Sequence, residues 1–132
     1  ALGNRSLLGD VRYDIKRTVN RIKRRQNFRP FAPAILSEYA DEYFEGPMNR
    51  YMQFVAQAKH DYSSVTHVDN SARVQLVTPE CKTVLRPILE EYYERTGVPM
   101  LLNTSLNIKG QPIVDNWQHA MDFQKMYGVK VF

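Results

Sequence analysis

Apolar residues recur along this chain with two different periods. Ile15, Val19 and Ile22 stand at i, i+4 and i+7, and this spacing predicts a helix from about Tyr13 to Arg25. Arg29-Pro30-Phe31-Ala32-Pro33 must then be extended or turning, because proline restricts both itself and the residue before it. A short strand is expected at Ala34–Ser37 and a short helix at Ala40–Phe44. Met52, Phe54, Ala56 and Ala58 stand at every second position, which predicts a half-buried strand within Tyr51–Lys59. Two further strands, Val65–Val68 and Arg73–Val77, flank a polar turn at Asp69-Asn70-Ser71.

The helical period returns at Thr83, with Val84, Leu85, Ile88, Leu89 and Tyr92 as the apolar stripe. Pro87 is tolerable there only within the first turn, and Gly97 is placed to end the helix as a left-handed cap. Val98–Leu102 reads as an apolar strand running into the polar stretch Asn103-Thr104-Ser105-Leu106-Asn107. Asp115 and Gln118 form an acidic variant of the capping box for a last helix ending near Gly128. Val129–Phe132 reads as a final strand. Helices interspersed with strands predict one α/β domain with helices packed on a sheet.

Composition narrows the function classes. The 132 residues are 43 % hydrophobic and 24 % charged, an ordinary globular mixture. No run of about 18 apolar residues is present, so no membrane span is expected, and the first residues do not resemble a secretory leader. Cys81 is the single cysteine, which excludes an internal disulfide and fits a reducing, cytoplasmic setting. The three histidines are scattered without carboxylates at ligand spacing, so no metal site is expected. There is neither a phosphate-binding Walker loop nor a dinucleotide glycine fingerprint.

The charge is uneven. Residues 1–29 carry nine Lys/Arg against two Asp, whereas residues 30–132 carry nine against twelve Asp/Glu. That asymmetry points to an anionic partner near the N-terminal end, whether a nucleotide phosphate, a nucleic acid or an acidic surface. Lys16, Arg17, Arg21, Lys23, Arg24 and Arg25 decorate the predicted helix, and most of such a run is expected to be a solvated face. Arg29 differs: it lies beyond the helix, pinned between Phe28 and Pro30. It is expected to face a pocket while Arg24 and Arg25 face solvent. The Asn103–Asn107 stretch follows a strand, where open α/β sheets collect ligands, but the same residue types also build turns. His67 alternates with Thr66 on its predicted strand, and a lone histidine of this kind is more often structural.

Several segments together resemble the C-terminal domain of the O-carbamoyltransferases, the nodulation-factor, cephalosporin and tobramycin enzymes among them. They are Gly3-Asn4-Arg5-Ser6, Ile22-Lys23 through Arg29-Pro30-Phe31-Ala32-Pro33, Thr66-His67-Val68-Asp69, Ala72-Arg73-Val74-Gln75, and Thr96-Gly97-Val98-Pro99 through Asn103-Thr104-Ser105-Leu106-Asn107. They occur in order over nearly the whole chain. The family pattern usually has Phe at Leu106 and Gly-Thr at Asn70-Ser71, and it has Gly-Pro-Arg just before the segment that begins here at Ala1. The resemblance implies a YrdC-like fold, a twisted mixed open sheet with helices packed on it. It implies that residues 1–132 are a C-terminal domain whose metal-binding, acceptor-selecting partner domain would precede it. It further implies carbamoyl phosphate and ATP with Mg2+ as reactants, carbamoyl-adenylate as product, and a small hydroxyl compound as acceptor through the absent domain.

On that resemblance Lys23, Arg29 and Ser105 are the expected catalytic residues. Arg5, Arg73, Asn103, Asn107 and His67 are expected to bind substrate or nucleotide, and Ser105 and Asn107 form a Ser-x-Asn pair. The chemistry agrees with the residue types, since carbamate attacking an α-phosphate builds charge that fixed cations stabilise. Two other readings stay open on sequence: a nucleic-acid-binding module using the basic helix, and a catalytically inactive interaction domain. The first explains neither the polar strand end nor the lack of aromatic stacking motifs.

Overall fold

The computed structural model describes residues 3–132; Ala1 and Leu2 lie outside the described residues. Its elements run β1 (Ser6–Gly9), α1 (Lys16–Ile22), β2 (Ala32–Leu36), a 3-10 turn at Ser37–Tyr39, α2 (Ala40–Tyr43), β3 (Phe44–Glu45), β4 (Ala56–Ala58), β5 (Ser71–Ala72), β6 (Gln75–Val77), α3 (Leu85–Thr96), β7 (Met100–Ser105) and α4 (Trp117–Tyr127). The fold is mixed α/β in one small domain, but the strands form two sheets instead of one. The larger is ordered β1-β7-β2-β6 and the smaller β3-β4-β5. β7 is antiparallel to both β1 and β2, while β2 and β6 are parallel.

Alternation along the strands decides what each face of the larger sheet covers. Ala34, Leu36, Val77 and Leu101 share one cluster with Leu85 and Leu89 of α3. Ile35, Met100 and Leu102, one residue out of step, join Leu7, Val19, Phe31, Phe44 and Val74 in the other. Gly97 caps α3 at φ 72° and donates its N–H to Tyr93 O at 2.8 Å, the left-handed ending that the sequence predicts.

Several elements differ from the pattern. The stretch 65–68 is a turn: Val65 N–H donates to Tyr62 O at 2.9 Å, Asn70 N–H donates to His67 O at 3.0 Å, and Val68 is fully exposed. Of Tyr51–Lys59 only Ala56–Ala58 forms a strand, because it alone pairs with β3 and β5. No strand forms at 129–132. The α3 stripe is narrower than expected, with Val84 63 % and Ile88 41 % exposed. The last helix is capped by Asn116, whose side chain accepts from His119 N–H at 2.9 Å, so Asp115 stands one position outside. Among the described residues no helix is long and apolar enough to cross a membrane.

The topology creates one functionally important juxtaposition. Antiparallel pairing sets Ala32 opposite Asn103. The loop that leaves α1 and enters β2 is thereby carried to the carboxyl end of β7.

Candidate functional site

Helix α1 ends earlier than its apolar spacing predicts, at Ile22. Arg24 takes a left-handed conformation, φ 52°, and turns the chain. Lys23 and Arg25, on either side of it, leave the helix run and approach the end of β7.

Lys23 is 4 % exposed. Its ammonium donates to Ser105 O at 2.6 Å, Asn107 O at 2.9 Å and Asn107 Oδ1 at 3.0 Å, with Ser105 Oγ at 3.4 Å. Lys109 N–H donates to Lys23 O at 2.9 Å, closing the clasp from the other side. Burial, with the nearby Arg25 charge, holds this ammonium at about 8, below its ordinary value of 10.5. Because about 8 still lies above neutral pH, the ammonium form predominates there, and the neutral oxygens around it leave its charge uncancelled. The lysine side chain is engaged in organising the 105–107 segment; it does not line the small cavity beside it.

That cavity, about 180 Å³, is lined by Arg25, Pro30, Phe31, Ala32, Met52, Arg73, Asn103, Thr104 and Ser105. At ~30 Å³ per water it has room for about six waters, below the range of drug-sized ligand pockets. Two guanidiniums and a run of short polar side chains line it, and no carboxylate does. Arg25 is half-buried. Its Nε donates to Asn20 Oδ1 at 2.6 Å, and its guanidinium carbon stands 4.3 Å from the centre of the Phe31 ring. Burial and the neighbouring Arg29 charge both lower its affinity for its proton. Arg73 is exposed at the mouth.

The expected site residues are only partly brought together. Ser105, Asn103 and Arg73 line the small cavity. Ser105 Oγ donates to Asn107 Oδ1 at 2.6 Å, and Asn103 Nδ2 donates to Gln75 Oε1 at 2.6 Å. Asn107 belongs to a second cavity of about 720 Å³ between α4 and the 111–115 segment, which Arg5 also lines. Arg5 donates to Val114 O at 3.3 Å there. His67 is exposed on the turn, with its backbone N–H donating to Ser71 O at 2.8 Å, and it lines neither cavity.

The expectation for the two arginines is reversed. Arg29 is exposed and does not line the cavity, although Pro30 and Phe31 that follow it do; Arg25 does line it. The reason is the early helix end, which turns Arg25 inward, while the Arg29 carbonyl is held by Asn20 Nδ2 at 2.8 Å. Asn20, Arg25 and Met52 were missed by sequence reasoning, whereas Thr104 lies in the polar stretch that it singled out. The one available signal was the i, i+2 spacing of Lys23 and Arg25, hidden within a run of cations. Nor does α1 present one cationic face. Lys23 is buried, Arg25 is folded back on Phe31, and Lys16 donates to Thr66 O at 3.0 Å. Among the described residues, no three His, Cys, Asp or Glu side chains gather to hold a metal ion.

Comparison with known proteins adds to this geometry. The family model described as "Carbamoyltransferase C-terminus" matches residues 1–132. The chain is 43 % identical over 131 residues to nodulation protein NolNO of Sinorhizobium fredii, covering 92 % of this chain and 19 % of that protein. It is 38 % identical over 131 residues to nodulation protein NolO of Bradyrhizobium diazoefficiens, covering 92 % and 24 %. Nodulation protein U of Rhizobium tropici is 36 % identical over 117 residues, covering 84 % and 20 %. The chain thus spans about a fifth to a quarter of the length of these curated relatives. A match over every residue, carried by a fold that sets its basic loop against a polar strand end, makes this chain a member of the carbamoyltransferase C-terminus family.

Proposed function

We propose that this domain activates a carbamoyl group for transfer to a hydroxyl, binding carbamoyl phosphate in the small cavity. The observation that supports this most is the convergence of two carboxylate-free guanidiniums, Arg25 and Arg73, with Thr104 and Ser105 around a space of about 180 Å³. A guanidinium offers a planar fork of donors to an oxyanion, and short hydroxyls complete the shell. The size suits a small phosphorylated acid better than a whole nucleotide. The larger cavity is a poorer place for a phosphate chain, because Asp115 and Asp122 line it together with its one arginine, Arg5.

Carbamoyl phosphate loses its phosphate to water, giving carbamate and inorganic phosphate. A carbamate oxygen then attacks the α-phosphorus of ATP, the bond to pyrophosphate breaks, and carbamoyl-adenylate forms. Arg25 and Arg73 stabilise charge on the phosphoryl oxygens. Lys23 holds the Ser105–Asn107 wall and adds its field from behind it. Thr104 offers a hydroxyl at the cavity, whereas the Ser105 hydroxyl proton is engaged by Asn107 Oδ1, so Ser105 shapes the wall, which Asn103 supports through Gln75. Arg29, exposed beside Pro30, is the cation available to a larger anion at the mouth. Arg5 and Asn107, which line the larger cavity, are assigned to the nucleotide away from its phosphate chain, and His67 has no further role in this scheme. Mg2+ would enter with the nucleotide and neutralise its charge, since no carboxylate lines the small cavity to hold it. The acceptor hydroxyl is assigned to other parts of a longer protein, consistent with the share of the relatives that this chain spans.

Titration calorimetry of the chain with carbamoyl phosphate tests the assignment. Binding is expected, and Arg25→Ala and Arg73→Ala should each weaken it by about 10-fold or more, the worth of a charge-assisted hydrogen bond. Incubation with ATP, Mg2+ and carbamoyl phosphate should release pyrophosphate. Affinity unchanged in both arginine variants would put the site elsewhere.

A further inference from the structure

Asn20 belongs to no motif and touches no cavity, yet it is the hub of the basic loop. It is fully buried in α1. Its Nδ2 donates to Asn27 O at 3.1 Å and to Arg29 O at 2.8 Å, and its Oδ1 accepts from Arg25 Nε at 2.6 Å. Its backbone carbonyl also accepts the Arg25 N–H at 3.0 Å. One amide thus satisfies both its donors and its acceptor on the loop that separates α1 from β2.

These contacts leave the Arg25 guanidinium little freedom. Its Nε is held by Asn20, its guanidinium carbon stands 4.3 Å from the centre of the Phe31 ring, and Nη2 points to Pro30 O at 3.4 Å, a weak contact. No hydrogen bond among the described residues uses Nη1. We propose that Asn20 is the positioning residue for Arg25, fixing its guanidinium at the cavity before an oxyanion arrives. This inference rests on the anion-site reading above and deepens it. The physical gain is preorganisation: a flexible arginine must lose rotamer freedom on binding, whereas one already anchored through Nε does not. The amide does this without a countercharge. A carboxylate at position 20 would hold Nε as well but would neutralise the cation that the site uses.

The experiment pairs a spectroscopic readout with binding. In 15N-edited NMR spectra of the chain, the Arg25 Nε–H should exchange slowly with solvent, and Asn20→Ala should abolish that protection. In calorimetric titrations with carbamoyl phosphate and with inorganic phosphate, Asn20→Ala should weaken binding by about 10-fold. Arg25→Ala should weaken it to a similar extent, and the double variant should be no weaker than Arg25→Ala alone within about twofold, because one residue acts through the other. Losses that multiply in the double variant would overturn the inference, as would an Asn20→Ala chain that binds like the parent. Should Asn20→Ala not fold, the parent spectrum decides: an Arg25 Nε–H exchanging as fast as in a free arginine overturns the proposal. A parent that binds neither phosphate ligand overturns the anion-site reading and this role with it. A parent that binds, with Asn20→Ala unaffected, overturns the positioning role alone.

Discussion

The cations of α3 and those around the end of α1 are held in different ways. On α3, both arginines meet carboxylates. Arg86, 14 % exposed, bridges Glu38 and Glu90 at 2.6 Å each, and Arg95 meets Glu91 at 2.5 Å. Around α1, the cations that are held at all meet neutral oxygens. Lys23 is bound by two carbonyls and an amide, Arg25 by an amide, and Lys16 by a carbonyl. Among the described residues no salt bridge involves Lys16, Arg17, Arg21, Lys23, Arg24, Arg25, Arg29 or Arg73. A cation fixed by neutral acceptors keeps its field, whereas one paired with a carboxylate spends it inside the fold. The first arrangement suits an external anion and the second suits stability.

Substitutions at the two kinds of cation should therefore part company. The largest effect is expected at Lys23→Met, which removes the common partner of four oxygens and leaves buried acceptors unsatisfied. A loss of roughly 3 kcal/mol is expected, a fall in Tm of roughly 10 °C, with weakened anion binding at temperatures where the variant remains folded. A melt that matches the parent would show that the clasp is not what holds the 105–107 segment.

Arg86→Ala comes next. It should cost about 1–2 kcal/mol, since it breaks a partly buried pair and the bond to Val77 O at 3.0 Å. Its affinity for carbamoyl phosphate should stay within about twofold of the parent. A large loss of affinity here would erase the distinction between the two groups of cations.

Asp10 provides a pH-dependent case. Hydrogen bonds from Arg12 hold its carboxyl down at about 2, assisted by the Tyr92 hydroxyl at 2.6 Å, against an ordinary 3.8. A folded-state pKa below the unfolded one adds stability that is present above about 3.8 and is lost as pH falls through 2. After solvent screening this is worth roughly 1 kcal/mol. Asp10→Asn should therefore melt a few degrees below the parent at pH 7, and the gap should close as the pH approaches 2. A gap that persists at pH 2 would assign the loss to packing instead of charge.

The smallest effect is expected at Arg24→Ala. Arg24 is exposed, and its left-handed backbone is the same for alanine. Stability should change by less than about 0.5 kcal/mol and affinity by less than about threefold. A tenfold loss of affinity would move the site outward along the loop.

Much of the fold was legible because it rests on local rules. The Gly97 cap, the α3 helix with Pro87 in its first turn, and the apolar start of β7 all follow from spacing and backbone chemistry. The misreadings share a cause. Val65–Val68 has a strand's residue types, but its backbone groups are committed to local turn bonds, including His67 O accepting from Asn70 N–H at 3.0 Å. Of the expected site residues, Ser105, Asn103 and Arg73 line the small cavity, whereas Arg29 is exposed and Arg25 turns inward, because nothing in a run of cations says where the helix stops.

The sequence by itself determined the helix-and-strand alternation, the concentration of charge in the first 29 residues and the ordered motifs that mark the family. Those depend on residue identity and short spacing. Only the tertiary structure decided which cations are inward and what they meet. The early end of α1 at Ile22 turns Arg25 inward, and the antiparallel pairing of β2 with β7 brings that loop to Ser105. Lys23 and Ser105 are 82 residues apart in sequence. A contact over such a separation is set by sheet register, which local periodicity does not encode.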